Sequence, residues 1–498
     1  MASRIIRKVN AEVDERLGTQ SFLKDAFDHI FPDNWSFMLG ELAMYCFVIL
    51  VITGVYLAMF FDPSDTVVTY KGPYMPMHGV KMPVAYETMI QINLQVRGGI
   101  LFRQMHHWAA LLFLGAIIMH LARLFFTGAF RKPRDLNWTI GATLLLLSML
   151  NGFTGYSLPD DLLSGLGLRI FYTILQSVPV AGNWLSYLVF GGQYPSDQIT
   201  HRLYIVHVFV IPLLIAGLIG AHLAVIWRQK HTVFPGEGRS ERKLVGSQMW
   251  PVYAFRSIAL FFFTIGLIAI LAGTTQINPV WLYGPYEPWS ASSFAQPDSY
   301  VGWLIGALRL FPKWQLHLFG YTVADVFWPG FVFPMVAVGF LYAYPLIERL
   351  WTSDLLLHNV LDRPRDRPGR PGRTGFGVAV IVFFGLLTLA GAEDVLAHFL
   401  QTSQTVVMLA TRGACIVAPP VAGLFTWKMC KDLSTAPAQP SEPPRGPASA
   451  GTPPIARYLP ERVRFETPVD GDGESLRPAP ISQLQRRAAG ELGDGELG

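Results

Sequence analysis

Eight stretches of predominantly apolar residues, each about 20 residues long, run through this chain near 38–61, 103–126, 138–157, 204–227, 255–274, 326–347, 376–396 and 404–428. Runs such as 139–150, 209–226 and 258–271 have no place in a soluble fold. In lipid, each stretch must satisfy its backbone hydrogen bonds internally, so all eight read as helices. The fold class that follows is all-α: a polytopic membrane protein with about eight transmembrane helices. Composition agrees, with 51% hydrophobic residues and only 15% charged, against about 25% charged in ordinary soluble proteins. A soluble enzyme is excluded. The seventh and eighth stretches are the weakest, because Glu393, Asp394, His398 and Arg412 fall close to them.

The net charge of +4 gives no reason to expect a nucleic-acid partner, since Lys and Arg lie between the apolar runs rather than in one patch. They set orientation instead. Basic residues fill the N-terminus (Arg4, Arg7, Lys8, Arg16, Lys24), the second connection (Arg131, Lys132, Arg134), the fourth (Arg228, Lys230, Arg239, Arg242, Lys243) and the sixth (Arg363, Arg365, Arg367, Arg370, Arg373). By the positive-inside rule both termini are expected in the cytoplasm, in a cell inner (plasma) membrane, with loops 62–102, 158–203 and 275–325 facing outward as an ordered cap. The N-terminus is unlike a cleavable signal peptide, so the first helix is expected to direct insertion. The expected organisation is a cytoplasmic segment 1–37, a bundle of the first four helices in 38–250, a second group of helices in 251–431, and a disordered cytoplasmic tail over 432–498.

Cys46, Cys415 and Cys430 form no CxxC and none opens a CxxCH sequence, so neither iron–sulfur ligation nor covalent c-type haem is expected from this chain. Redox chemistry would need another ligand.

Four of the twelve histidines sit well inside apolar helices: His106 and His120 in the second, His207 and His222 in the fourth. At about 100° per residue, 14 steps return to within roughly 40° of the starting direction and 15 to within roughly 60°, so each pair shares a helix face. The two levels lie about 21 Å apart at about 1.5 Å per residue. Because the helices run in the same direction, His106 matches His207 near the outer surface and His120 matches His222 near the inner one. Buried histidines of a transporter are the alternative. Four at matched depth favour two haems, since haem iron needs just two axial nitrogens whereas zinc needs clustered ligands. His107 is turned away from the shared face and is the weaker candidate, and His201 reads as a loop residue before the fourth helix.

Gly40 and Gly54 in the first helix, and Gly141 and Gly155 in the third, repeat the 14-residue separation at the same levels. Residues lacking Cβ would let the two non-ligating helices close on a macrocycle, although small residues also serve ordinary helix packing. Arg103 and Arg123 stand three residues from His106 and His120, toward the nearer surface. They either snorkel to that surface or pair with haem propionates.

At these residues the sequence resembles the cytochrome b subunit of cytochrome bc-type quinol oxidoreductases. The similarity rests on Arg103-Gln104-Met105-His106, on the run from His120 through Arg123, Thr127, Gly128, Phe130, Lys132, Pro133 and Arg134 to Trp138, on Gly152 to Pro159, and on Arg202 through His207 to Pro212. It covers roughly 30–350 and is most like the actinobacterial menaquinol branch. A photosynthetic relative would carry a cysteine two residues before the first glycine for a third haem. Met38 stands there, so two non-covalent b-type haems are implied.

The resemblance also implies function. Quinol would be oxidised near the outer surface, one electron passing to a Rieske iron–sulfur subunit and on to a c-type cytochrome subunit. The other would pass through the two haems to an inner quinone site, with proton translocation. A homodimeric complex and association with a terminal oxidase in a supercomplex are further implications. Where the family carries P-E-W-Y in the loop between the fifth and sixth helices, this chain has Pro297-Asp298-Ser299-Tyr300. Asp298 and Tyr300 are thereby candidate catalytic residues, with Tyr156, Pro159 and Pro297 lining the quinol pocket. A surface turn at Pro-Asp-Ser and a rival carboxylate, Glu287, are the alternatives. Asp33, Arg228 and Lys230 lie near the inner surface, where no quinone ligand is assigned. The competing function is a dihaem cytochrome b anchor of another quinone-linked enzyme, which would leave the long outward loop unexplained.

Overall fold

The computed structural model of the protein describes residues 12, 14–16, 26–236, 239–290, 298–364 and 370–435. Pro297, the basic residues Arg4, Arg7, Lys8, Lys24, Arg365 and Arg367, and the tail beyond Thr435 lie outside the described residues.

Eight helices among the described residues are long and apolar enough to cross a membrane. The first four are α1 (Leu39–Ala58), α3 (Gly99–Thr127), α4 (Asp135–Tyr156) and α7 (Ile199–Gln229). The second four are α8 (Met249–Thr274), α10 (Trp328–Thr352), α11 (Arg370–Gly391) and α13 (Gln404–Thr435). Between them the long loops at one end of the bundle fold into short helices: α2 (Val84–Leu94), α5 (Leu162–Gln176), α6 (Gly182–Phe190) and α9 (Ser299–Leu310). A helix of about two turns, α12 (Glu393–Phe399), follows α11.

Large apolar side chains such as Ile52, Phe209, Leu213, Phe262, Phe263 and Phe425 are exposed along these helices, as lipid contact requires and water would penalise. The interior of the four-helix bundle is filled by Cys46, Ile49, Ala109, Phe113, Ala116, Leu144, Ile211 and Ile215. Gly128, at φ +68°, ends α3 and receives the last carbonyls of that helix on its own N–H, a conformation that favours glycine.

Three sequence expectations need adjustment. His201 lies in the first turns of α7 rather than in a loop, its exposed side chain 3.9 Å from Asp65. The seventh apolar helix begins at Arg370 and ends at Gly391, so Glu393, Asp394 and His398 fall in α12 beyond it. Several basic residues read only as orientation signals are also buried fasteners. Arg134 donates to the backbone oxygens of Lys230 (2.6 Å) and His358 (2.6 Å), joining the end of α7 to the chain after α10. Asp362 is held by Arg131 (3.1 Å), Arg370 (2.6 Å) and Arg373 (3.0 Å), while Glu348 takes a second bond from Arg373 (2.8 Å). This basic end of the molecule ties the second helix group to the bundle, and the opposite end carries the cap of α2, α5, α6 and α9.

Candidate functional site

The four histidines meet in two pairs. His106 on α3 faces His207 on α7 with ring centroids 6.2 Å apart and planes at 71°, and His120 faces His222 at 6.4 Å and 72°. Two imidazole nitrogens about 2 Å from one metal, each about 1.1 Å from its ring centre, put the centroids about 6.2 Å apart. Both pairs are therefore spaced for one iron between them.

In the cap-end pair the tautomers are fixed. Thr53 Oγ1 donates to the carbonyl of Ile49 at 2.7 Å, so His106 Nδ1–H is the donor in its 2.9 Å contact with Thr53. His207 Nδ1–H donates to the carbonyl of Asn151 at 2.9 Å. Each leaves Nε2 with its lone pair, the state an axial ligand needs. The basic-end pair lacks bonds of this quality: Nδ1 of His120 is buried without a hydrogen bond, and Nδ1 of His222 faces the Asn137 backbone without well-aligned geometry.

The glycines stand against the rings. A Cβ at Gly54 would lie 3.2 Å from Cε1 of His106, at Gly155 2.3 Å from Cε1 of His207, at Gly40 3.3 Å from Cε1 of His120, and at Gly141 3.6 Å from Cε1 of His222. The pairing by level is the one expected. Gly155, Gly54 and Gly40 leave room for the facing imidazole, whereas at Gly141 a Cβ would make only ordinary contact.

Arg123 is stacked over Phe37 at 3.9 Å, and its Nε and Nη2 are buried without partners. An anionic group at the basic end would satisfy them. Arg103 is already engaged, donating to Asn93 Oδ1 (3.3 Å) and the Asn278 carbonyl (2.6 Å), which fastens α3 to the cap.

The cap-end histidines open into a cavity that is also lined by Gly54, Gly155, Arg103, Tyr156, Pro159, Asp298 and Tyr300. Two sites separate in the sequence reading are thus one continuous space. Asp298 stands immediately before α9, and Tyr300, in its first turn, is buried with its ring against Gly152, where a Cβ would come within 2.8 Å. Burial, and then the Asp298 carboxylate, push the Tyr300 phenol well above its ordinary value, so it keeps its proton. Tyr156 Oη is buried without a partner. Glu287 is exposed and bonded to Ser290, away from the cavity. At the other end, Asp33 accepts from Ser247 (2.5 Å) and Arg256 (2.9 Å).

Sequence reasoning missed three contributors. Thr53 and Asn151 hold the cap-end rings, and the repeated Thr-Gly at 53–54 and 154–155, with Thr154 also 3.4 Å from His207 Nδ1, was an available signal. His107, set aside as a ligand, instead reaches Asp298 Oδ1 with Nε2 at 2.8 Å.

The chain is similar in sequence to known proteins. A family model described as Cytochrome b(N-terminal)/b6/petB matches residues 111–285. The cytochrome bc1 complex cytochrome b subunit of Corynebacterium diphtheriae is 48% identical over 431 residues, 86% of this chain and 79% of that protein. The corresponding subunits of Mycobacterium tuberculosis and Streptomyces coelicolor are 44% and 43% identical over 86% and 84% of this chain, and 78% and 76% of their own lengths. A solved chain titled Hyperthermophilic respiratory Complex III superposes with a TM-score of 0.61 at 18% identity, covering 84% of this chain and 99% of that one, which speaks to the fold alone. Identity of this extent over more than three quarters of each relative makes this protein a member of the family of cytochrome b subunits of cytochrome bc1 complexes.

Proposed function

We propose that the chain is the quinol-oxidising subunit of a quinol:cytochrome c oxidoreductase, with menaquinol as the substrate. The observation that carries this reading is the shared cavity: Asp298 and Tyr300 line the same space as the cap-end imidazoles, and the second imidazole pair lies about 21 Å away on the same helices. In that space a quinol can give up a proton and an electron to adjacent acceptors.

Asp298 accepts a quinol proton, Tyr300 donates to a quinol oxygen, and Tyr156 and Pro159 wall the pocket from lipid. His106 with His207, and His120 with His222, would hold two non-covalent b-type haems, and Arg123 would offer its free guanidinium N–H groups to a carboxylate of the inner one. Haem at these two pairs would supply one-electron transfer between the cap end and a quinone site at the basic end. A Rieske iron–sulfur subunit takes the other electron and passes it to a c-type cytochrome subunit. With the basic end in the cytoplasm of the plasma membrane, quinol protons leave on the opposite side, so turnover translocates protons. In this reading residues 38–250 are the redox bundle and 251–431 carry the loop of the quinol pocket, within a homodimeric complex that joins a terminal oxidase.

The test is Asp298→Asn in the whole complex. Turnover with a naphthoquinol is expected to fall about 10²-fold or more, the scale of a lost proton acceptor, with Asp298→Glu retaining most of it and the b-type absorbance unchanged. Parental turnover in Asp298→Asn would remove Asp298 from the mechanism.

A further inference from the structure

An aspartate immediately before a helix ordinarily turns back to accept the first free N–H groups of that helix. Asp298 precedes α9, yet its side chain accepts none of them. Its Oδ1 is taken by His107 Nε2 at 2.8 Å, from a different helix, with both side chains about 15% exposed at 14% and 16%. The competing bond decides where the carboxylate points. Consecutive residues on α3 project about 100° apart, so His106 can enter the bundle while His107 reaches α9.

From this geometry we infer that His107 is a positioning residue for the outer quinol pocket. Its Nε2–H donates to Asp298 Oδ1, draws the carboxylate off the N-terminus of α9 and holds it at the wall of the cavity beside Tyr300. An aspartate is one methylene shorter than the glutamate that the family motif carries at this place. An external hydrogen bond therefore does by anchorage what a longer side chain does by reach. The role asks only for a donor at the Nε2 position. It deepens the proposed function and rests on Asp298 being the proton acceptor there.

The experiment compares His107→Leu, His107→Gln, Asp298→Asn and the double variant His107→Leu/Asp298→Asn in the intact complex, with a water-soluble naphthoquinol as substrate. His107→Leu is expected to lower kcat about 10–100-fold, the range for a catalytic group displaced by about 1 Å, with KM little changed. His107→Gln, which keeps an N–H near the Nε2 position, is expected to recover most of the rate. The double variant is expected to be no slower than Asp298→Asn alone, because both changes remove one function. Reduced-minus-oxidised spectra report whether each variant has folded and loaded. Parental kcat in His107→Leu with a slow Asp298→Asn overturns the role of His107 and leaves the pocket assignment standing. So does a His107→Gln as slow as His107→Leu, or losses that multiply in the double variant. Parental turnover in Asp298→Asn instead defeats the pocket assignment itself.

Discussion

Gly155 and His207 approach so closely that a Cβ on the glycine would lie 2.3 Å from Cε1 of the imidazole, inside any contact that real side chains make. The ring cannot retreat freely, since its Nδ1–H is bonded to the Asn151 carbonyl on the glycine's own helix. Alanine at the four glycines should therefore act in the order of their clearances, Gly155 most severely, Gly54 (3.2 Å) and Gly40 (3.3 Å) less, and Gly141 (3.6 Å) least. Reduced-minus-oxidised spectra of the four purified variants give the ranking. Loss of a centre in Gly141→Ala beside an intact Gly155→Ala would contradict it.

The two imidazole pairs share no residue, and Phe113, Ala116, Leu144 and Ile215 pack among the bundle helices that carry them. His106→Ala and His120→Ala should consequently remove different b-type centres and leave the other with its own midpoint potential. Redox titration followed at the α-band resolves the two. A single common centre missing from both variants would break the assignment of levels.

How far the sequence could be read depended on whether a feature was periodic or tertiary. Apolar length located all eight spans, because lipid imposes helices on any such run. The histidine levels were equally legible, except for an inequality: 14 residues separate His106 from His120 but 15 separate His207 from His222. The structure removes it with a π-helical turn at Val206–Val210, where Ile211 N–H bonds the carbonyl of Val206. One extra residue in that turn absorbs the fifteenth step and returns His222 to the face of His207. Pro212 just beyond it was a visible hint. The contact of His107 with Asp298 joins residues 191 apart in sequence, and no local pattern encodes such a pair. The same holds for Arg131, Arg134 and Arg373, whose charge suggested orientation while their burial depends on partners more than 200 residues away.

Asp362 is the keystone of the basic end, since Arg131, Arg370 and Arg373 all close on it and Arg373 is only 3% exposed. Replacing it with alanine leaves Arg370 and Arg373 to share Glu348 and leaves Arg131 without its carboxylate. Breaking a buried pair by removing one partner costs about 3–5 kcal/mol. Asp362→Ala should lower the melting temperature of the detergent-solubilised protein markedly and expose the chain to trypsin after Arg373, which Thr374 follows. Glu12→Ala, which breaks the exposed pair with Arg16, should leave both readings within error. Equal melting of the two variants would deny the network its structural weight.

Asp160 carries the opposite electrostatic sign, a carboxylate destabilised where it stands. Desolvation, then the neighbouring Asp65 and Asp161, push it up to about 8 from the ordinary aspartate range. An acid whose folded value lies above its unfolded one binds more protons in the folded state, so its contribution is fully present below about pH 4 and is lost as pH rises toward 8. Melting temperature should therefore fall across that window. Asparagine is the fitting replacement, because position 160 has φ +51° and asparagine tolerates the left-handed region better than most residues. Asp160→Asn should match the parent near pH 4, exceed it at pH 8, and flatten the slope between. Melting curves of parent and variant that stay parallel from pH 4 to 8 would mean that Asp160 is as well solvated in the folded protein as in the unfolded chain.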